Sequence, residues 1–360
     1  MIKVMKFAYH RGGYRWVLVD KQNQMIQPVM KYIKYLDRMG RAPNTLKSYV
    51  YHLKLYWVFL HDVGLSYHEV DLDQLARFIA WLRHPESLDK VSYVQQVQAK
   101  RRERSINIIV QCVCCFYEYL TRMGEFDYDL KTVLTKEIRR FKNSYRSFLD
   151  HTSNNHTIKK RILKVKEPRR KIRVLTDIEI QKIEALFLNM RDMLIVRILF
   201  ETGIRASELL NLVISDFNIG KKSILVRVSK TRAGENRTVY VTSDTINIFQ
   251  DYIIEFHSSQ TSIDYVFFNL RGKNKGEQMS YWGLQALIRR LNRKAEVDFT
   301  AHMFRHTCAT QLNDKGISAV SLKNLMGHAH IQTTLQMYVH PSDETIRKHW
   351  EQAISHESKE

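Results

Sequence analysis

A basic, proline-interrupted stretch near the middle of the chain constrains the fold more than any other feature. Ser153 to Thr157 leads into Lys159, Lys160, Arg161, Lys164, Lys166, Arg169, Arg170 and Lys171, and Pro168 breaks any helix across it. The 360 residues are too many for one small core, and this polar run falls between two segments with regular apolar patterning. The reading is therefore two domains joined by a linker.

Before that stretch the pattern is first alternating, then helical. Val4 to Ala8 and Tyr14 to Val19 alternate apolar and polar residues around His10 to Gly13, which predicts a β-hairpin. Apolar residues then recur at helical spacing over Val29 to Met39, from Pro43 through Leu60, over Leu72 to Leu82 and over Ser105 to Met123. Beyond the basic stretch, Thr176 and Glu179 have the spacing of a capping box and open the first helix of the second domain.

The second domain carries the chemistry. An apolar helical run ends at Gly203 and a new one starts, so Arg205 sits at a helix N-terminus, where backbone N–H groups and a guanidinium fork both favour a phosphate. His302 and Arg305 stand at i and i+3 on one helical face. Gly327 and His328 add another N–H donor, and Lys230 follows the alternating strand Ile224 to Val228, before a turn at Ala233 to Asn236 and a return strand at Thr238 to Val241. Two arginines and two histidines can then neutralise one phosphodiester while the phenol of Tyr338 attacks it. That is DNA breakage with a covalent intermediate.

Each assignment has competitors. Lys221, Lys222 and Arg232 lie close to Lys230, and His330 and His340 flank the Tyr338 region as alternatives to His328. His306 adjoins Arg305 but points to a different face from it, so it reads as a structural histidine. Glu208, one turn from Arg205, reads as a supporting group that orients the guanidinium. Ten residues separate His328 from Tyr338, about 15 Å along a continuous helix, so the chain must bend between them. Gln332 to Thr334 offers hydroxyls to cap the helix that follows.

These motifs resemble the tyrosine recombinases, or phage integrases, over the last half of the chain. The shared elements are Thr-Gly-x-Arg-x-Ser-Glu-Leu at Thr202 to Leu209, the hairpin lysine, His-x-x-Arg-His-Thr-x-Ala-Thr at His302 to Thr310, Leu-Met-Gly-His at Leu325 to His328, and Thr-Thr at Thr333 and Thr334 followed by Tyr-x-His at Tyr338 to His340, in the family's order. The resemblance implies that Arg205, His302, Arg305 and His328 hold the phosphate, that Tyr338 is the nucleophile, and that Lys230 protonates the leaving 5′-oxygen. It implies His302 as proton acceptor near Tyr338, a 3′-phosphotyrosyl product, and rejoining that needs neither ATP nor a metal, hence no cofactor. It also implies a mainly α fold with small β-sheets (α+β), a two-domain clamp on double-stranded DNA, and a homo-tetramer on paired sites. Accessory recombinases or directionality factors are further partners of this kind.

On that pattern the chain divides into an N-terminal hairpin appendage serving as a DNA arm or an accessory contact (1–24), a helical core-binding domain (25–150), the basic linker (151–173), the catalytic domain (174–342) and a C-terminal helix (343–360). The start of the Pro43 helix, Asn44 to Tyr49, resembles the family's core-binding domain, with Thr45 and Lys47 as DNA contacts. Lys159, Lys160, Arg161, Lys164, Arg169, Arg170 and Lys171 are expected to touch phosphates where the linker crosses the duplex. Ile346, Trp350 and Ile354 form one apolar face of the last helix, suited to docking on a neighbouring protomer.

Composition agrees with this reading. Lys and Arg number 57 against 37 Asp and Glu, a formal net charge of +20 that suits a polyanion and predicts salt-sensitive binding. No run of 18 apolar residues occurs and the first residues lack a signal peptide's apolar core, so a cytoplasmic, nucleoid-associated protein without membrane contact is expected. Cys112, Cys114, Cys115 and Cys308 lack a Cys-x-x-Cys pairing and read as small packing residues rather than zinc ligands. The preferred function is an integrase or transposase of a mobile element. A chromosome-dimer-resolving recombinase, a monomeric nicking and resealing enzyme and a DNA-binding regulator of the same fold are the alternatives.

Overall fold

The computed structural model describes residues 1–8, 14–85, 99–126, 135–139, 157–161, 163–168, 172–186, 189–257, 264–338, 347, 350 and 351. They are mainly helical with small antiparallel sheets, and the chain divides into two compact units, Met1–Arg169 and Arg170–Glu360.

In the first unit, β1 (Lys3–Ala8) pairs antiparallel with β2 (Tyr14–Val19), with Val4 opposite Leu18. Four helices follow: α1 (Gln27–Arg38), α2 (Pro43–Val63), α3 (Leu72–Arg83) and α4 (Glu103–Arg122). Their ends obey local chemistry. Pro43 opens α2 where its missing N–H costs nothing, Gly64 closes it in the left-handed region at φ 68°, and the Asp71 carboxylate caps α3 by accepting from the Gln74 N–H at 2.8 Å. Val50, Leu53, Tyr56, Phe59, Phe78, Val113, Phe116 and Tyr117 close a continuous core. Each such side chain contributes roughly 1.5–3 kcal/mol by leaving water.

The hairpin packs on the helices of this unit: Ile2 and Leu18 enter the helical core and Val17, Leu18 and Val19 are all buried. Successive strand residues face opposite ways, so β2 is covered on both faces at this end. The basic stretch, read as a linker, contains a strand: β4 (Thr157–Arg161) pairs antiparallel with β3 (Thr135–Arg139), Ile158 opposite Ile138. Its continuation is pinned to α4 as well. The Asn107 side-chain amide donates to the Val165 carbonyl at 2.9 Å and its oxygen accepts from the Val165 N–H at 2.9 Å, while Val165 is buried in the first unit's core.

The second unit begins with α5 (Asp177–Glu184), whose capping box is formed: the Thr176 hydroxyl accepts from the Glu179 N–H and the Glu179 carboxylate from the Thr176 N–H. Next come α6 (Met190–Thr202), the short α7 (Ala206–Leu210), and a three-stranded antiparallel sheet in the order β5 (Phe217–Asn218), β6 (Ser223–Val226), β7 (Arg237–Tyr240). Helices α8 (Ser243–His257), α9 (Tyr281–Ala295), α10 (Ala301–Asp314), α11 (Ala319–Met326) and α12 (Ile331–Tyr338) complete it. Leu194, Ile195, Ile198 and Leu199 give α6 a wide buried apolar face, and it packs between α8 and α10. A second cluster, Cys308, Ala309, Leu322 and Met326, packs around the turn at Gly203.

Cys112 and Cys308 are buried and Cys114 and Cys115 partly so, as packing residues would be. Of the C-terminal stretch, Arg347, Trp350 and Glu351 are helical, and the apolar face assigned there otherwise falls outside the described residues. Among the described residues, no helix is long and apolar enough to cross a membrane.

Candidate active site

The site is assembled around the C-terminal end of α11. The last carbonyls of a helix have no partner within it and carry the negative end of its dipole. Here three successive carbonyls each accept from a different guanidinium: Leu325 from Arg237 Nε at 2.9 Å, Met326 from Arg305 Nη2, and Gly327 from Arg205 Nη2 at 3.3 Å. Gly327, at φ 62°, turns the chain so that this end is exposed to all three.

Arg205 stands where the sequence placed it, as the residue before α7, because Gly203 at φ 60° ends α6 and allows the turn. Glu208 fixes it twice: its carboxylate accepts from the Arg205 backbone N–H at 2.9 Å and from Arg205 Nη1 at 2.7 Å. The same carboxylate accepts from the Ser229 hydroxyl and from Arg237 Nη2, each at 2.6 Å. Four hydrogen bonds saturate its oxygens. Burial alone would raise its pKa. The Arg237 guanidinium, the Arg205 N–H and the Ser229 hydroxyl outweigh that and hold it down at about 2, so Glu208 is a fixed anion.

Arg305 lies deeper than a surface phosphate clamp. It is 1% exposed and donates to the Gly203 and Met326 carbonyls, tying the end of α6 to the end of α11. One turn before it, His302 is exposed in the first turn of α10, and the Thr300 hydroxyl caps that turn by accepting from the Met303 N–H. Partial desolvation of the ring by the surrounding chain, then the Arg305 and Arg205 charges, lower the His302 pKa. His306, read as structural, shares the His302 face at i+4 and packs edge-on against it, ring centroids 4.8 Å apart at 85°. Burial and its charged neighbours take His306 down to about 4.

The chain bends as expected between His328 and Tyr338, but by a different device. Thr334 lies inside α12 rather than capping it, and its hydroxyl is 2.9 Å from His328 Nδ1 in a buried contact. Burial, reinforced by Arg305 and Arg205, lowers His328 to about 4 and keeps the imidazole neutral near pH 7. His330, the alternative, is exposed, and His340 lies outside the described residues. Tyr338 is the last residue of α12, and its side chain lies outside the described part of the structure.

Lys230 is exposed on the loop between β6 and β7, past the strand's end at Val226. Lys221 and Lys222 precede β6, so the strand's length of about 13 Å separates them from Lys230. Arg232 shares the Lys230 loop. Of the expected DNA contacts, Lys47 and Lys164 are exposed and Thr45 is half-buried, whereas Arg169, Arg170 and Lys171 and the side chains of Lys159, Lys160 and Arg161 lie outside the described part.

Arg237 and Ser229 were missed by reading the sequence, and Thr334 was given a capping role in place of its contact with His328. The signal for Arg237 was present: alternation along β7 puts it on the buried face with Val239, an inward position where an arginine requires an anion. Ser229 carries no such mark.

A model of the phage integrase family matches residues 173–345. Transposase A from transposon Tn554 of Staphylococcus aureus is 34% identical over 358 residues, spanning 96% of each chain. Tyrosine recombinase XerA of Pyrococcus furiosus is 27% identical over 327 residues, spanning 90% of this chain and 91% of its own. Among solved structures, the Tn1549 transposon integrase in complex with a circular intermediate DNA aligns with a TM-score of 0.62 at 17% identity over 91% of this chain and 98% of that one. The XerH site-specific recombinase bound to palindromic difH substrate aligns at 0.61 and 18% identity over 90% and 84%. At those identities the structural likeness speaks for the fold. With the end-to-end relationship to Transposase A and the site geometry, it leads to one conclusion: the chain belongs to the phage integrase family, the tyrosine recombinases.

Proposed function

We propose that this recombinase moves a mobile genetic element by cutting and rejoining double-stranded DNA at specific sites, with Tyr338 as nucleophile. The observation that carries the reading is the gathering of Arg205, Arg237 and Arg305 at one helix end, with His302, His328 and the Lys230 loop around it. A phosphodiester resists attack because its charge repels the nucleophile, and concentrated positive charge removes that barrier. Arg205 takes the phosphate, and Arg305 supports it from below with its charge and by holding the α6 and α11 ends together.

In the step itself, the Tyr338 oxygen bonds to phosphorus as the bond to the 5′-oxygen breaks. A phenol with an ordinary pKa near 10 must shed its proton, and His302 accepts it. Its lowered pKa leaves the imidazole neutral and ready for that role. Lys230 gives a proton to the departing 5′-oxygen. The energy of the broken bond is kept in the 3′-phosphotyrosyl link, so the 5′-hydroxyl can reverse the reaction without an external energy source. Tyr338 follows Thr334 by four residues, one turn along the helix whose Thr334 touches His328, which supports its assignment to this site.

The similarity to Transposase A from end to end favours a mobile element over chromosome-dimer resolution. In this reading Thr45 and Lys47 of the first unit and the basic residues from Lys159 to Lys171 supply phosphate contacts, and the hairpin adds an accessory one. A homo-tetramer acts on two paired sites in the cytoplasm, at the nucleoid, with accessory recombinases or directionality factors as further partners.

The test is a nicked duplex carrying the element's end, designed so that the short 5′-hydroxyl fragment diffuses away after cleavage. Wild type should form a covalent protein–DNA band on a denaturing gel and Tyr338→Phe should form none. A band that persists in Tyr338→Phe assigns the nucleophile to another tyrosine. Binding without any band for wild type favours a DNA-binding regulator.

A further inference from the structure

We infer that Arg237 is a positioning residue for Lys230, clamping the lysine-bearing loop to Glu208 and to the end of α11. The inference rests on the proposed role of Lys230 as the proton donor to the leaving oxygen. A proton donor must be held near one atom, yet Lys230 and its neighbour Val228 are both exposed, so apolar packing does not fix this part of the loop.

Polar tethers fix it instead, one on each side of the lysine. Ser229 donates to Glu208 Oε1 at 2.6 Å, and Thr231 Oγ1 donates to the Gly327 carbonyl at 3.1 Å. Arg237 joins the same carboxylate and the same helix end to the loop itself. Its Nη2 donates to Glu208 at 2.6 Å, its Nε to the Leu325 carbonyl at 2.9 Å, and its Nη1 to the loop carbonyl of Gly234 at 2.6 Å. The loop backbone lies hard against the helix end, because a Cβ on Gly327 would stand 2.7 Å from Gly234 Cα.

Three acceptors in three directions match a planar guanidinium and not an ammonium. Were Arg237 simply a counter-ion for Glu208, the bonds to Gly234 and Leu325 would have no part in the chemistry. As a clamp, it uses all three to set the distance from Lys230 to the phosphate held by Arg205.

Covalent adduct formation in a single turnover separates these cases. The probes are two nicked duplexes of the sequence that wild type cleaves, one with the normal 5′-bridging oxygen at the scissile position and one with sulfur there. A thiolate leaves without a proton, so a defect confined to proton donation disappears on the sulfur duplex. Arg237→Lys and Thr231→Val should each lose at least about tenfold on the oxygen duplex and return to within about twofold of wild type on the sulfur duplex. Thr231→Val leaves the buried Glu208 pair intact, so it reports on the clamp even where Arg237→Lys fails to fold.

Lys230→Ala is the reference. Rescue of Lys230→Ala by sulfur together with equal losses on both duplexes for the clamp variants overturns the inference and leaves the Lys230 assignment standing. No rescue of Lys230→Ala overturns that assignment and the inference with it. No adduct with wild type on either duplex would instead sink the proposed reaction.

Discussion

Glu208 and Arg237 form a buried ion pair at 2.6 Å, with the carboxylate 2% and the arginine 8% exposed. The pair connects three pieces of chain that are remote in sequence: the α7 start that carries Arg205, the loop that carries Lys230, and the end of α11 that leads to His328.

Breaking that pair from one side leaves a charge without its partner in the interior. Glu208→Ala is expected to destabilise the second unit by about 3–5 kcal/mol. Combining Glu208→Leu with Arg237→Met should cost less than the two single changes added together, since neither charge is then stranded. Urea unfolding of the four proteins measures the coupling, and additive costs would contradict it.

Glycines at positive φ should differ according to what surrounds them. At Gly64, φ 68° with nothing within 4 Å, alanine should cost about 1 kcal/mol, from backbone strain. At Gly203, φ 60°, the new methyl meets Met326 Cε at 3.0 Å, a flexible end that can move aside, so the cost should rise only modestly. At Gly327, φ 62°, it meets backbone, Gly234 Cα at 2.7 Å, and about 3–5 kcal/mol is expected. Thermal unfolding of Gly64→Ala, Gly203→Ala and Gly327→Ala orders the three, and a Gly327 variant as stable as the Gly64 one would refute the close approach.

Four histidines among the described residues titrate below their ordinary value in the folded state: His306 and His328 at about 4, with His302 and, in the first unit, His52 also lowered. As pH falls from about 6.5 toward about 4, the unfolded chain binds protons that the folded chain does not, so stability declines across that window. Glu208 adds a loss at lower pH, from the ordinary carboxylate range down through its folded value of about 2. The midpoint of thermal unfolding should drop steadily between about pH 6.5 and about pH 4, and His306→Asn should flatten part of the slope. A midpoint constant over that range would show that these imidazoles are not held neutral.

Phosphate contacts reveal themselves through salt. Lys164 and Lys166 are exposed in the basic stretch, and the proposed DNA role makes both backbone contacts. Replacing either by alanine should reduce the slope of log K against log salt by about one, with the preference among DNA sequences unchanged. Titration of labelled duplexes at several salt concentrations gives the slopes, and an unaltered slope would remove that lysine from the interface.

Much of this architecture is legible in the chain. Helices α1 to α4, the hairpin strands and the Thr176 capping box follow from periodicity and capping chemistry that act within a few residues. Arg205 at its helix start and the bend after Gly327 follow equally from local rules. The pairing of β4 with β3 was hidden because Thr157 to Arg161 looks like a solvated charge run, and strand pairing is a relation between distant segments. Thr334 was read as a cap because hydroxyls near helix starts usually serve the backbone, whereas here the nearby His328 ring engages it.

Local sequence by itself determined which residue types could meet a phosphate, the order in which they come, and the helices and turns that carry them. Tertiary structure decided how the guanidiniums are shared: Arg205 stays partly exposed, while Arg305 and Arg237 are drawn inward to the Met326 and Leu325 carbonyls. The reason is physical. A backbone carbonyl is the same on every residue, so nothing in the sequence marks these as acceptors. They become strong ones only where α11 ends and folding brings three arginines, remote along the chain, to its unpaired oxygens.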